Sequence, residues 1–354
     1  MARRPGMTRV SIKDVAKRAN VSPAAVSYAL NNMGGVSKET ADRVLDAAKE
    51  LNYRPNFAAR SLKTQRTKTI GVVVEDVTIF NAPDIIDGIN QEAENQGYSI
   101  ILTNLRLSKR IGLDFTEALA YRELVRQKLE EMYFKPVEGI IYVGMHSRDV
   151  SSLVEMGPLP IVYAYCTSSR EDDMSVTYDD RLTAYRACRY LLEQGHRSIG
   201  FITGPRGHIQ TSSDRLEGAR DALVEYGLTV PPNHITEGDW EYRSGLEGAR
   251  QLLGQAKITA IFALNDLMAL GAMAFCQEHN LAVPNRISVI GFDNRESSRY
   301  FVPELSTMAL PLRTMGEQAA QMLIRTINHE GVGDRVIRMP GELKIRNSVM
   351  PPSR

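Results

Sequence analysis

Cysteine is scarce in this 354-residue chain, with three copies, and tryptophan occurs once. Cys166, Cys188 and Cys276 are widely spaced, odd in number and in no metal-site pattern, so buried free thiols are expected. The six histidines (146, 196, 208, 234, 279 and 329) form no ligand pair at helical spacing, and no metal is implied. No stretch approaches the roughly 18 uninterrupted apolar residues of a membrane span. The N-terminal basic residues are not followed by an apolar run, so no secretory leader is read there and a cytoplasmic location is expected. Signatures of a phosphate loop, a nucleophile elbow or a catalytic triad are missing, which argues against an enzyme and implies no cofactor.

Net charge is also nearly absent, at +1. That balance averages two unlike regions. Residues 1 to 67 carry 13 Lys plus Arg against 5 Asp plus Glu, a net of +8, and the remainder carries 30 against 37, a net of −7. A basic head on an acidic body is a signature of nucleic-acid contact, because phosphate neutralisation supplies most of the non-specific affinity for DNA.

The head has the pattern such contact requires. Ser11 and Asp14 can form a capping box ahead of Ile12, Val15, Ala16 and Ala19, which recur at helical spacing. Asn20 tolerates the left-handed backbone of a sharp turn. Ser22 caps a second helix with Pro23 at its first position and Val26 and Leu30 on its buried side. Two short helices joined by about three residues are a helix-turn-helix, although an ordinary helical hairpin has the same spacing. Ser37 caps a third helix, about residues 38 to 51, with Ala41, Val44, Leu45, Ala48 and Leu51 as its apolar stripe. Then comes YRPNFAARSLKTQRTKT, where Pro55 interrupts the chain and Asn56 can cap a helix over Phe57 to Leu62 that is too short to stand alone. This reads as a solvated linker or as a hinge that folds on DNA.

From residue 69 the pattern changes to apolar runs alternating with amphipathic helical stretches. Ile70–Val74, Ile100–Thr103, Gly139–Val143, Ile161–Ala164, Ile199–Thr203, Ala260–Leu264 and Ile287–Phe292 are the predicted strands. Helices are predicted over Pro83–Gln96, Phe115–Met132, Arg181–Gln194, Arg215–Tyr226, Tyr242–Gly254 and Asp266–His279. The alternation implies parallel sheets covered by helices, and the length implies two α/β lobes.

Several blocks in order now point to one family. SIKDVA, Ala25-Val26-Ser27, Leu30-Asn31, Val36-Ser37, Leu51-Asn52-Tyr53 and Pro55-Asn56 resemble the head of the lac repressor (LacI/GalR) family of bacterial transcription regulators. Thr203-Gly204-Pro205, Arg215-Leu216-Glu217-Gly218, Asn265-Asp266, Met268-Ala269-Leu270-Gly271 and Gly291-Phe292-Asp293 resemble its body, so the likeness spans essentially the whole chain. The resemblance implies a small all-α helix-turn-helix DNA-binding head (residues 1–54) and a hinge helix with linker (55–68). Behind them it implies an α/β periplasmic-binding-protein-like core of two lobes with parallel sheets (69–354). The N-terminal lobe is placed at about 69–177 and 309–338, and the C-terminal lobe at about 178–308 and 339–354, with crossings near Thr177, Met308 and Met339. Between the second strand and Gly139 the chain is about ten residues longer than the family pattern. That excess, within residues 105–131, has no functional reading.

The implied DNA-contacting residues are Ser11, Ser22, Pro23, Ala24, Ser27, Tyr28, Asn31, Asn56, Ala59, Arg60 and Leu62. Family members carry Arg where this chain has Tyr28, which cannot contact guanine through two parallel hydrogen bonds, so an unusual operator half-site is expected. By resemblance, Leu62 wedges between base pairs in the minor groove. The alternative is that it packs on the third helix. In the core, Phe80, Arg215, Trp240, Asn265 and Asp293 are the implied effector contacts. A carboxylate and a guanidinium on opposite walls would suit a sugar. For Asp293 and Arg215 the alternative is a structural ion pair, and for Trp240 it is core packing.

The expected function is therefore a transcriptional repressor, a homodimer on double-stranded operator DNA, whose affinity is set by a carbohydrate effector between the lobes. The helices over Ile85–Ala93 and Leu267–Phe275 are candidate dimer faces, and no C-terminal leucine heptads support a tetramer. A cytosolic sugar receptor or transport component is the reading of a different class, against which the basic head argues. Leu62→Ala is expected to weaken operator binding by orders of magnitude and leave effector binding intact. Unchanged operator affinity in a gel-shift titration would remove the hinge assignment.

Overall fold

The computed structural model describes residues 10–30, 34–53, 66–111, 121–205 and 210–353. They belong to two compact units, one ending at Thr67 and the other beginning at Lys68.

The first unit holds α1 (Ile12–Ala19), α2 (Pro23–Leu30) and α3 (Lys38–Glu50). The Asp14 carboxylate accepts from the Ser11 backbone N–H at 2.8 Å and from its hydroxyl at 2.7 Å, so the capping box forms. Asn20, at φ 55°, ends α1 and lets Val21 N–H reach Ala16 O at 3.0 Å. The Ser22 and Ser37 hydroxyls accept from Ala25 N–H and Thr40 N–H at 3.1 and 3.2 Å, fixing the starts of α2 and α3. Val15, Ala16, Ala19, Val26, Val44, Ala47 and Ala48 form the core. So few buried side chains leave the unit only marginally stable. One expectation fails here: Leu45 is 50% exposed. The buried seam of α3 runs through Val44, Ala47 and Ala48, and Leu45 lies roughly 100° around the helix from Val44. Asn31 and the hinge residues Asn56, Ala59, Arg60 and Leu62 lie outside the described residues.

The second unit opens with β1 (Thr69–Val74), α4 (Ala82–Asn95), β2 (Ser99–Asn104), α5 (Ser108–Ile111), α6 (Arg122–Tyr133), β3 (Ile140–Val143), β4 (Ile161–Ala164) and β5 (Met174–Tyr178). It continues through α7 (Asp180–Glu193), β6 (Ile199–Thr203), α8 (Gln210–Glu225), β7 (Ile235–Glu237), α9 (Tyr242–Gln255), β8 (Ala260–Ala263), α10 (Asp266–Glu278) and β9 (Ser288–Ile290). It closes with β10 (Thr307–Ala309), α11 (Leu312–Ile327), β11 (Val336–Met339) and β12 (Glu342–Lys344). One parallel sheet has the order β11-β5-β4-β3-β1-β2, and the other has β7-β6-β8-β9. β10 and β12 pair antiparallel. The chain therefore leaves the first sheet after β5, builds the second, and returns to add β11 beside β5. Strands such as β1, β3 and β4 are buried along their whole length, as strands covered by helices must be.

Every predicted strand is present: Ile161–Ala164 and Ile199–Thr203 keep their predicted ends, four others shift by one residue at one or both ends, and Ile287–Phe292 shortens to Ser288–Ile290. The sequence reading missed β5, β7, β10, β11, β12 and α11. β7, β10 and β12 are three residues each, too short to show a pattern, and only pairing defines them. The helix expected over Phe115–Met132 starts at Arg122 with Tyr121 as its N-cap. The expected dimer faces are covered within the chain: Ile85, Ile89 and Ala93 join the core beside Met315 and Ala319 of α11, and most of α10 is buried.

The packing of α4 on α11 depends on two glycines. A Cβ added to Gly88 would lie 2.0 Å from Arg313 O, and one added to Gly316 would lie 2.1 Å from Ile85 O. Each helix backbone touches the other, so neither contact can be relieved by a rotamer change. Gly88→Val is expected to destabilise the core by about 3 kcal/mol, read as a lowered urea midpoint. A midpoint equal to wild type would show that the helices can separate freely.

Candidate functional site

On the head, α2 presents one face that α1 and α3 do not cover. Ser22, Pro23, Ala24 and Tyr28 are exposed, and Ser27 is half-buried beside them. Tyr28 is 43% exposed, large for an aromatic ring with no structural need to face water. Ser11, Lys13 and Lys17 are exposed on α1, and Arg18 is tied back to Glu50 at 2.7 Å. A groove-reading helix with cations on its neighbour is what the backbone and base edges of DNA require.

In the second unit the carboxyl ends of the two parallel sheets face one another, the place where open α/β folds bind ligands. Cross-contacts mark the boundary. Thr211, in the first turn of α8, reaches Ser147 O after β3 at 3.5 Å, and the Arg295 guanidinium lies over the Phe80 ring, 4.2 Å from its centroid. Phe80 belongs to the loop between β1 and α4, Arg295 to the segment after β9.

Arg215 sits at the centre. It lies in the second turn of α8, which begins at Gln210 and not at Arg215 as the sequence suggested. Its side chain is 3% exposed. Nε donates to Asp180 at 2.6 Å, Nη1 to Leu264 O at 2.5 Å and Nη2 to the Tyr178 hydroxyl at 2.6 Å, while Asp293 stands 3.5 Å from Nη1. Asp293 and Arg215 therefore share the C-terminal lobe's wall and pair with each other, so the expected opposite-wall clamp does not form. Sequence spacing gave both positions but not their mutual direction, which the β6–α8 and β9 connections decide.

Trp240 is held from three sides. Its backbone takes φ 72°, its carbonyl accepts from Asn265 Nδ2 at 2.8 Å, and its indole presses on Gly204. A Cβ at Gly204 would lie 2.0 Å from the indole Cζ2, so only glycine leaves room for the ring. The Asn265 Oδ1 also caps α10 by accepting from Met268 N–H at 2.8 Å. Both ends of that amide are occupied, which makes Asn265 a residue that positions Trp240.

Burial sets the protonation of the surrounding carboxylates. Desolvation pushes Asp180 up to about 6, against the pull of Arg215. Asp266 is pushed up to about 8 by burial and then by the Asp293 charge; it accepts from Thr307 Oγ1 at 2.5 Å and from Arg295 N–H at 2.7 Å. Asp293 is raised by burial and pulled back by Arg215 and Arg295. Across the cleft, His146 is held down to about 3 by desolvation and then by Arg148, Arg215 and Arg295. Among the described residues no group of three or more His, Cys, Asp or Glu side chains could hold a metal ion.

Residues 11–56 match the family model for bacterial regulatory proteins of the lacI family, and residues 188–349 match the periplasmic binding protein-like domain. The HTH-type transcriptional repressor PurR of Klebsiella pneumoniae subsp. pneumoniae is 36% identical over 345 residues, 96% of each chain. The chain belongs to the lacI family. Among solved structures, the lac repressor dimer bound to operator and the anti-inducer ONPF matches at 25% identity and a TM-score of 0.76, covering 97% of this chain and 100% of that one. A complex of the transcriptional regulator CelR with cellobiose matches at 26% identity and a TM-score of 0.64, covering 96% and 100%. This lacI-family chain is a DNA-binding transcription regulator with a periplasmic-binding-protein-like core. Among the described residues no helix is long and apolar enough to cross a membrane.

Of the implied effector residues, the fold brings Arg215, Trp240, Asn265 and Asp293 together on one wall and Phe80 against them through Arg295. The sequence reading missed Tyr178, Asp180, His146, Asp266 and Arg295. Arg295 could have been found as the cation two residues beyond Asp293. Arg215→Ala is expected to cost about 3–5 kcal/mol in chemical denaturation, since Asp180 and Asp293 lose their shared cation while buried. Arg215→Lys is expected to recover only part, because an ammonium lacks the planar fork that reaches several acceptors at once. A loss below about 1 kcal/mol for Arg215→Ala would place the wall's stability elsewhere.

Proposed function

We propose that this regulator is a repressor, dimeric on its operator, whose DNA affinity is set by a sugar bound between the two lobes of its core. The observation that carries this reading is the presentation of Trp240. The indole is fixed by Gly204 and Asn265 at the carboxyl edge of the sheet, and its N–H is buried with no acceptor among the described residues. A buried donor without a partner is costly, and a ligand oxygen removes that cost. An aromatic ring 5.7 Å from the Arg215 guanidinium also suits the apolar face and hydroxyl rim of a sugar ring. The cellobiose bound to a relative of this architecture supports the same ligand class.

On the head, Ser11, Ser22, Pro23, Ala24, Ser27 and Tyr28 are the proposed groove and phosphate contacts, with Asn31, Asn56, Ala59, Arg60 and Leu62 completing them. Tyr28 supplies one hydrogen bond and a stacking face, so the half-site it reads differs from one read by arginine. One recognition helix covers one half-site, which calls for a second copy of the chain. Tyr300 and Val302, 68% and 94% exposed, together with the cavity of about 350 Å³ lined by Met273, Leu281, Val283 and Phe301, offer apolar surface for that second copy. The faces of α4 and α10 proposed from sequence are already used. Lobe rotation on ligand binding would be passed to the linker that leads directly into β1, the first strand of the N-terminal lobe.

Selection from random duplex DNA with the full-length protein tests the reading. A two-fold symmetric site is expected, with half-sites about one helical turn apart or a multiple of it. The affinity for that site is expected to change at least about fivefold with a sugar that binds the core. Recovery of no preferred duplex, or a site whose affinity no bound sugar alters, would overturn it.

A further inference from the structure

The polar groups that close the cleft are unevenly paired. Among the described residues, two buried donors, the Trp240 indole N–H and the Arg295 Nε–H, have no hydrogen-bond acceptor. The other cations near the cleft are compensated within the chain. Arg148 makes two hydrogen bonds to Glu75, at 2.7 and 2.9 Å, and Arg215 has Asp180 and Asp293. Among the described residues the one carboxylate paired with Arg295 is Asp293, 3.6 Å from its Nε and already facing Arg215. Asp266 could serve, but its two oxygens accept from the Arg295 backbone N–H and from Thr307.

The geometry of Arg295 leaves its donors available. Its backbone is pinned by Asp266, and one face of its guanidinium is covered by Phe80 from the other lobe, 4.2 Å away. Stacking uses the face of a guanidinium and leaves the N–H groups at its edge, in the plane, for an acceptor. The side chain is 24% exposed, enough for an approaching ligand to reach that edge. Opposite stands His146, kept neutral by desolvation and by Arg148, Arg215 and Arg295.

We propose that Arg295 binds an acidic substituent of the effector, a carboxylate or a phosphate, so that the ligand is an acidic sugar derivative. This rests on reading the cleft as the effector site. A neutral sugar would leave the guanidinium partly desolvated with only the Asp293 carboxylate it shares with Arg215, and the site would discriminate against it. An anion in the guanidinium plane keeps the Phe80 stack and adds charge-assisted hydrogen bonds, which ties the two lobes through one residue.

Calorimetric titration of the full-length protein with a matched panel tests this: hexoses, their uronic and aldonic acids, their phosphate esters, and inorganic phosphate alone. At least one acidic member is expected to bind about tenfold or more tightly than its neutral counterpart and than phosphate alone. Arg295→Gln is expected to abolish that preference, and Arg295→Lys, which keeps the charge and guards against a folding defect, to retain part of it. A panel in which no acidic member binds, neutral and acidic members bind alike, or phosphate alone accounts for the affinity overturns the proposal. Acidic-ligand affinity lost in Trp240→Ala but unchanged in Arg295→Gln overturns the role of Arg295 and leaves the cleft reading standing. Affinity unchanged in both variants overturns the cleft reading as well.

Discussion

A single buried cation organises the ligand-facing side of this protein. Arg215 draws together the end of β5 through Tyr178, the first turn of α7 through Asp180, the end of β8 through Leu264 O, and the segment after β9 through Asp293. Those elements are far apart in sequence and belong to different sheets, β5 to the first and β8 and β9 to the second, and they converge where the carboxyl ends of both parallel sheets meet at the cleft. The Phe292 ring, 3.8 Å from the guanidinium carbon, covers the charge from one side. A charge so placed would be costly alone, and its value lies in specificity: it admits one arrangement of four connections. Trp240, Asn265 and Arg295 then take their positions from elements that Arg215 has already fixed.

The consequence for ligand recognition is a division of labour. Arg215 is spent on the protein, and Asn265 is spent on Trp240 and the start of α10. Among the described residues, the groups that the proposed reading assigns to a ligand are the indole N–H of Trp240 and the guanidinium edge of Arg295. Among the described residues the lobes touch through Arg295 on Phe80, Thr211 on Ser147 and Arg215 on Tyr178 at the end of β5. Contacts of this size are worth about a kilocalorie each, so a ligand that adds or removes one moves the balance between lobe arrangements.

Much of this was legible in the sequence, and the reasons differ between the parts. The head was readable because caps act over three or four residues: Ser11 with Asp14, Asn20 at the turn and Ser37 before α3 are local devices with local signals. The buried parallel strands were readable because an apolar run between turns has few other meanings. Asp293 and Arg215 could be placed on the same cleft by motif. Their pairing on one wall could not, because they lie 78 residues apart and only the tertiary fold decides which way each side chain points. Leu45 failed for a smaller reason, since a stripe of apolar residues does not say which edge of it is wet. β7, β10 and β12 acquire meaning only from their partners in the sheets.

The account makes this chain a switch in which a head that binds DNA and a cleft that binds a small molecule share one free-energy balance. The most direct measurement is the pair of affinities that linkage makes equal. The operator dissociation constant is measured with and without saturating effector, and the effector constant with and without operator. The account predicts the same factor in both directions, between about 5 and 150. Two constants that do not change, with both ligands bound at once, would contradict it.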